Sequence, residues 1–208
     1  EAFIQITPEW LHHIEFYQVD GRGKIIRDKV GGTMYPYNDR ELHLNMHSFA
    51  LGSNEAVYYI KVEGDHIISP HFIVGDKIQL LMNERFLNQL YFCYFGAILL
   101  LLGYNIFLTF VIKKKSYAYY SSYILFMLVG MLFIKGFINE WIDLFWVSNH
   151  SNIITSLMVI FIMLSVASFT KVNDLYPLLN KIKNLIIILS IISLLMNLWG
   201  FTRIANML

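Results

Sequence analysis

Hydrophobic positions fall in two patterns along the 208-residue chain. In the first 76 residues they alternate with polar ones in short stretches, and beyond residue 89 they merge into long runs. Leu90 to Ile112 is 23 residues without Asp, Glu, Lys or Arg. As a helix it is roughly 34 Å long, enough to cross a ~30 Å hydrocarbon core. Tyr117 to Ile138 follows, interrupted only by Lys135, and Ile153 to Thr170 and Leu185 to Phe201 carry no charge. The pattern predicts four membrane spans, near 90–112, 117–138, 153–170 and 185–201.

The first half reads as β. Ile14 and Phe16 alternate with His13, Glu15 and Tyr17, a half-buried strand. Asp20-Gly-Arg-Gly23 predicts a turn, Lys24 to Arg27 opens the next strand and Gly31-Gly32 breaks it. Leu42, Leu44 and Met46 alternate with Glu41, His43, Asn45 and His47, and predict another strand. Val57 to Glu63 and His66 to Val74 predict two more, turned at Gly52 to Glu55 and at Gly64-Asp65, with Pro70 marking an edge or bulge. Short strands at this spacing suggest a β-sandwich. About five are visible, few for a complete one. The chain opens at Glu1 with no signal-peptide pattern and ends soon after an apolar run. It is therefore read as an internal piece of a longer protein, N-terminally incomplete. Between the halves, Ile78, Leu81, Met82 and Phe86 have mostly helical spacing, and no Gly or Pro separates them from Leu90. The domain reading is a β module over 1–76, a juxtamembrane helix over 77–89 and a membrane domain over 90–208.

Charge sharpens the division and sets the orientation. Residues 1–88 hold 8 Lys/Arg and 12 Asp/Glu, whereas residues 89–208 hold 8 and 3. Lys113, Lys114 and Lys115 follow span one, and Lys171, Lys181 and Lys183 follow span three. The segment after span two, residues 139–152, has no Lys or Arg but has Glu140 and Asp143. By the positive-inside rule loops one and three face the cytoplasm, so loop two and residues 1–88 lie outside. Trp141, Phe145, Trp146, Tyr91, Tyr94 and Trp199 suit the outer interface, and Lys135 is expected to snorkel at the outer end of span two. The net charge of +1 excludes bulk electrostatic binding of nucleic acid. The single cysteine, Cys93, excludes an internal disulfide and a cysteine-based zinc site.

Candidate chemistry is sparse. Six of the seven histidines lie in the first half, but His43 and His47 on one strand stand about 13 Å apart, too far to share a metal. No phosphate loop or nucleophile elbow is present, so no catalytic residue, metal or cofactor is assigned. Tyr35-Pro-Tyr37-Asn-Asp-Arg40 sets flat apolar faces beside fixed donors and acceptors, the chemistry a sugar or small polar ligand needs. Tyr35, Tyr37, Asn38 and Arg40 are the candidate ligand residues, against the plainer role of a loop covering the end of the sandwich. In span one, Gly96, Gly103 and Asn105 read as helix-packing positions, with the Asn105 amide expected to bond a neighbouring helix.

An ordered set of features runs along the chain. In the membrane half it comprises Phe95-Gly96, Tyr104 to Leu108, Ser116-Tyr117 with Tyr120, Gly136-Phe137, Phe169 and Tyr176 to Leu179. In the soluble half it comprises Ile14 to Tyr17 with Asp20-Gly21, the Pro36 to Arg40 turn and Val57 to Val62. This set resembles the bacterial seven-transmembrane receptors with diverse intracellular signalling modules. The resemblance implies a jelly-roll-like outer domain similar to carbohydrate-binding modules. It also implies seven spans, of which four are present, in a bacterial inner membrane with residues 1–88 periplasmic or extracellular. Its further implication is a cytoplasmic output module in cis: a histidine kinase, diguanylate cyclase or phosphatase.

The resulting expectation is a sensory receptor rather than an enzyme. Its partners are a small-molecule or carbohydrate ligand, the lipid bilayer, the output module and a second copy in a homodimer. The alternative is a transporter or channel subunit, which polar residues lining the spans would support and which are scarce here.

Overall fold

The computed structural model describes residues 2–52, 56–63, 69–137, 151–170 and 176–199. It divides into two compact units, Glu1–Leu90 with Leu132–Ser148, and Tyr91–Met131 with Asn149–Leu208.

Among the described residues, the first unit holds six strands: β1 (Ala2–Thr7), β2 (His13–Val19), β3 (Ile25–Gly31), β4 (His47–Ala50), β5 (Val57–Glu63) and β6 (His71–Asp76). They form two three-stranded antiparallel sheets, ordered β4-β1-β6 and β3-β2-β5. The alternation in β2 resolves as predicted: Ile14 and Phe16 are fully buried, and His13, Glu15 and Tyr17 take the outer face. Phe16 joins the sheets. Its ring stacks on Phe49 of β4 at 5.0 Å and on Tyr58 of β5 at 5.6 Å, and Ile6, Leu11 and Ile14 complete that core.

The turn after β2 is built by Asp20. Its carboxylate accepts the N–H groups of Arg22 and Lys24 at 2.8 and 2.9 Å, and Gly23 takes φ +79°, a left-handed conformation that glycine adopts without cost. At Gly32 a Cβ would stand 2.2 Å from the His12 carbonyl oxygen, so only glycine fits.

Two parts of the β module differ from the sequence reading. β1, the central strand of its sheet, has no counterpart there, because its burial does not alternate cleanly: Gln5 is 1% exposed beside Ile6. The strand predicted over Glu41–His47 is irregular as far as Met46, and β4 begins at His47. Leu42 and Leu44 point into the core, which produces the alternation. Side chains rather than a ladder satisfy the backbone there. The Leu44 N–H closes a tight turn on the Leu42 carbonyl at 2.8 Å, and Arg40 takes the carbonyls of Leu44 and Asn45. Residues 53–55 and 64–68, which include parts of the predicted turns and His66, lie outside the described residues.

α1 (Lys77–Ile112) starts where β6 ends and runs for 36 residues without interruption. Asp76 caps it: its carboxylate accepts the Gln79 N–H at 2.6 Å. Leu80 on the first turn is 2% exposed and packs with Phe3, Leu42, Leu44 and Ala50. The face of α1 that meets the β module is therefore the one carrying Leu80 and Glu84, four residues apart and both buried. The apolar stripe read from the sequence lies elsewhere: Ile78, Met82 and Phe86 are all more than half exposed, and only Leu81 borders the core.

The second unit is helical, with α1 from Tyr91 onward, α2 (Lys115–Ile134) as far as Met131, α3 (Ser151–Thr170) and α4 (Pro177–Leu198). α2 and α3 run antiparallel. Ser116 Oγ lies 2.7 Å from Ser168 Oγ, Phe126 stacks on Phe161 at 5.5 Å, and a Cβ on Gly130 would meet Ile154 at 3.3 Å. α3 and α4 meet at Ser156 and Ser193, 3.5 Å apart. Among the described residues, four helices are long and apolar enough to cross a membrane. α4 starts at Pro177, so Lys181 and Lys183 lie within its first two turns. The outer-interface residues Trp141, Phe145 and Trp146, and Lys171 in loop three, lie outside the described residues.

Candidate functional site

The residues predicted to hold a ligand divide into two roles. Arg40 follows the 3-10 turn Tyr37–Asp39. Its Nη1 donates to the carbonyls of Leu44 and Asn45, both at 2.8 Å, and its guanidinium lies over the Tyr37 ring, 5.0 Å from the centroid. His43 meets the same ring edge-on at 5.9 Å. Arg40 and Tyr37 thus shape the irregular segment before β4. Asn38 is exposed at the tip. Tyr35 turns toward β2, with its hydroxyl 2.9 Å from His13 Nδ1. A cleft at this turn is lined by Tyr35, Arg40, Lys29, Glu41 and His47 among others, but not by Tyr37 or Asn38. Its space is about 30 Å³, above the roughly 10–15 Å³ that one water needs.

From Tyr35 a polar chain crosses the outer face of the β3-β2-β5 sheet. His13 Nε2 lies 2.9 Å from Glu15 Oε1, and the Tyr17 hydroxyl donates to Glu15 Oε2 at 2.7 Å. With the His13 proton on Nε2, Nδ1 accepts from Tyr35. Lys61 of β5 stands 3.3 Å from Glu15 and 2.6 Å from Glu63. The His13 and Tyr17 bonds, then Lys61, hold the Glu15 carboxyl down at about 2, so it is ionised at any physiological pH. Tyr17 pairs across the ladder with Tyr59, which is 59% exposed. Sequence alternation marks this face, but only the ladder register sets the two tyrosines side by side.

A second cluster, which the sequence reading missed, lies where α1 meets the β module. Glu84 is 4% exposed, and its Oε1 accepts the Asn45 N–H at 2.5 Å. Burial raises its carboxyl to about 7, helped by the Glu9 charge and opposed by the Asn45 and Met46 amides and by Arg40. Glu9, 7% exposed, faces Lys135 at 3.6 Å. Lys135 therefore ends in an ion pair with the β module, where snorkelling is the sequence expectation. His47, 2% exposed, sits 3.2 Å from the Glu9 carbonyl. Burial and then Arg40 push its imidazole down to about 3, leaving it neutral. A single buried acid in a helical stretch carries no sequence signal, because its partners come from residues 9, 40 and 45.

In span one, Asn105 is buried and its amide nitrogen donates to the Leu101 carbonyl at 2.8 Å, one turn back on its own helix. A Cβ on Gly96 or Gly103 would meet nothing within 4 Å. The close approach of small residues lies instead at Gly130 and at the serine pairs of α2, α3 and α4. No group of three or more His, Cys, Asp or Glu side chains able to hold a metal occurs among the described residues.

Residues 87–208 match the family model described as 7TM diverse intracellular signalling, and residues 1–75 match that described as 7TMR-DISM extracellular 2. No curated protein and no solved structure matches the chain. Several residues that carry the sequence resemblance converge in the structure: the Phe169 ring meets Tyr117 and Tyr120 edge-on at 5.4 and 6.4 Å, beside the Ser116–Ser168 contact. That convergence sets the lysine-rich start of α2 beside the end of α3. With its extracellular segment and four candidate spans, the chain is a multi-pass membrane protein of the 7TM diverse intracellular signalling family.

Proposed function

We propose that this chain is the ligand-binding and first membrane portion of a sensory receptor, and that α1 carries the signal from one to the other. The seating of α1 supports this reading. Asp76 caps the helix, Leu80 fills the module's core, Glu84 bonds the backbone before β4, and the same helix continues to Ile112 without Gly or Pro between Lys77 and Phe95. A stiff rod transmits a displacement that a flexible linker absorbs. The proposed division is an outer module over 1–76, a juxtamembrane helix over 77–89 and the membrane domain beyond. Gly96 and Gly103 are proposed to meet further spans, and Asn105 to brace that face. The signal ends on a cytoplasmic module in cis.

Inserting Gly-Gly-Ser-Gly after Asn88 in the full-length receptor tests the rod. Leu80 and Glu84 stay in place, so ligand binding persists while the output stops responding. A normal response from the insertion variant overturns the relay.

The proposed ligand is saccharide-like. Its surface runs from Tyr35, Tyr37 and Asn38, with Arg40 bracing that turn from the 44–45 backbone, onto the adjoining sheet face at His13, Glu15, Tyr17 and Tyr59. An exposed ring offers an apolar face to a sugar, and the ionised carboxylate accepts from its hydroxyls. Stacking of this kind contributes roughly 0.5–1.5 kcal/mol per ring beyond area burial. Tyr59→Ala should therefore weaken binding several-fold on a glycan array of the membrane-embedded receptor, with its melting temperature unchanged. An array on which the folded receptor captures no glycan removes the sugar assignment.

A further inference from the structure

We propose that Glu84 is a proton-operated latch, holding the base of α1 against the segment before β4 when protonated and releasing it when ionised. The proposal rests on α1 as the relay. Glu84 is placed for this role because its side chain is the polar contact between the helix and residues 45–46, four residues from the apolar contact at Leu80.

The two carboxyl oxygens differ. Oε1 has the Asn45 amide, whereas Oε2 is buried and makes no hydrogen bond of good geometry among the described residues, although the Met46 amide also acts on the carboxyl. A full charge on such a group is costly, and a proton on Oε2 removes the charge while leaving Oε1 free to accept. The charged and titratable groups around it divide by element. Glu9, before β2, disfavours the ionised form and is paired with Lys135 beyond α2. Arg40, after the 3-10 turn, favours the ionised form, but its Nη1 is already committed to two carbonyls. His47 in β4 is neutral throughout the working range. Burial outweighs the rest, and the carboxyl stays protonated up to about 7.

The sign follows from linkage. A carboxyl whose folded value lies above its ordinary 4.5 stabilises the seated state most in acid. That stabilisation declines as pH rises from about 4.5 and is lost once the carboxyl ionises near 7. Mild acid thus locks the outer module to α1, and mild alkali loosens it. The membrane faces an outside whose pH the cell does not control, so the latch makes the strength of coupling a function of external proton concentration.

Hydrogen exchange at the Asn45 and Met46 amides of the membrane-embedded receptor tests this. After correction for intrinsic exchange, protection should fall by roughly tenfold between pH 6 and pH 8.5. Glu84→Gln, a neutral isostere that keeps the Oε1 acceptor, should hold protection high and flat over the range. Glu9→Gln removes the neighbouring charge and should move the midpoint to lower pH. Flat protection in the unaltered receptor, or a transition that survives in Glu84→Gln, overturns the latch. A transition in protection without any pH dependence of output supports the latch and counts against α1 as relay instead.

Discussion

Phe16→Ala is expected to destabilise the outer module by about 3–5 kcal/mol, the usual range for a buried phenylalanine. Phe16 has no exposed surface, and its ring is a central contact between the sheets, stacked 4° from parallel on Phe49 and covered by Tyr58. Truncation leaves a cavity that neither backbone closes, because β2 is held on both sides by ladders to β3 and β5. A small domain has only about 5–15 kcal/mol in hand, so a large share of the module should be unfolded near 37 °C. Pulse proteolysis of the full chain in urea gives the measurement. Phe16→Leu, which keeps most of the volume, should lose less than half as much. A midpoint shift for Phe16→Ala worth under about 1 kcal/mol would mean that the sheets do not share this core.

Arg40→Ala should cost about 2–3 kcal/mol, enough to separate a structural role from a binding role. The variant leaves the Leu44 and Asn45 carbonyls without the charged donor that bonds both at 2.8 Å. Bonds to charged groups contribute roughly 1.5–3 kcal/mol, and carbonyls stranded away from water add their desolvation cost. It also removes the cation that favours the ionised form of Glu84, so the exchange transition at Asn45 should move to higher pH. Arg40→Lys restores charge without the planar fork and should recover only part of the stability. If instead Arg40→Ala leaves the melting temperature unchanged and abolishes ligand capture, Arg40 is a ligand residue and the contacts to the 44–45 backbone are incidental.

Composition and spacing alone carried the division of the chain and its membrane character. A span needs only some twenty apolar residues, and every backbone group in a helix is satisfied locally, so hydropathy suffices to find it. The same holds for the Asp20 turn, whose carboxylate bonds amides two and four residues ahead. The period-2 burial of β2 follows from local geometry too. The lysine distribution implied that loops one and three share a side, and the contact of Ser116 with Ser168 agrees.

Tertiary structure decided what depends on distant partners. β1 is central in its sheet because residues 47–50 and 71–76 flank it. Leu42 and Leu44 alternate like strand residues but belong to a segment that Arg40 and Glu84 hold from outside. Which face of α1 is buried could not be read from its apolar stripe. Ile78, Met82 and Phe86 are as hydrophobic as Leu80, yet Leu80 enters the core formed by Phe3, Leu42, Leu44 and Ala50, Leu81 borders it, and those three stay exposed. Glu84 shows the limit most plainly. An isolated carboxylate in a helix is an ordinary surface charge, and only the assembled fold takes away its water, brings Glu9 near and raises its proton affinity. Local sequence determines what the backbone can satisfy by itself, whereas desolvation is a property of everything packed around a group.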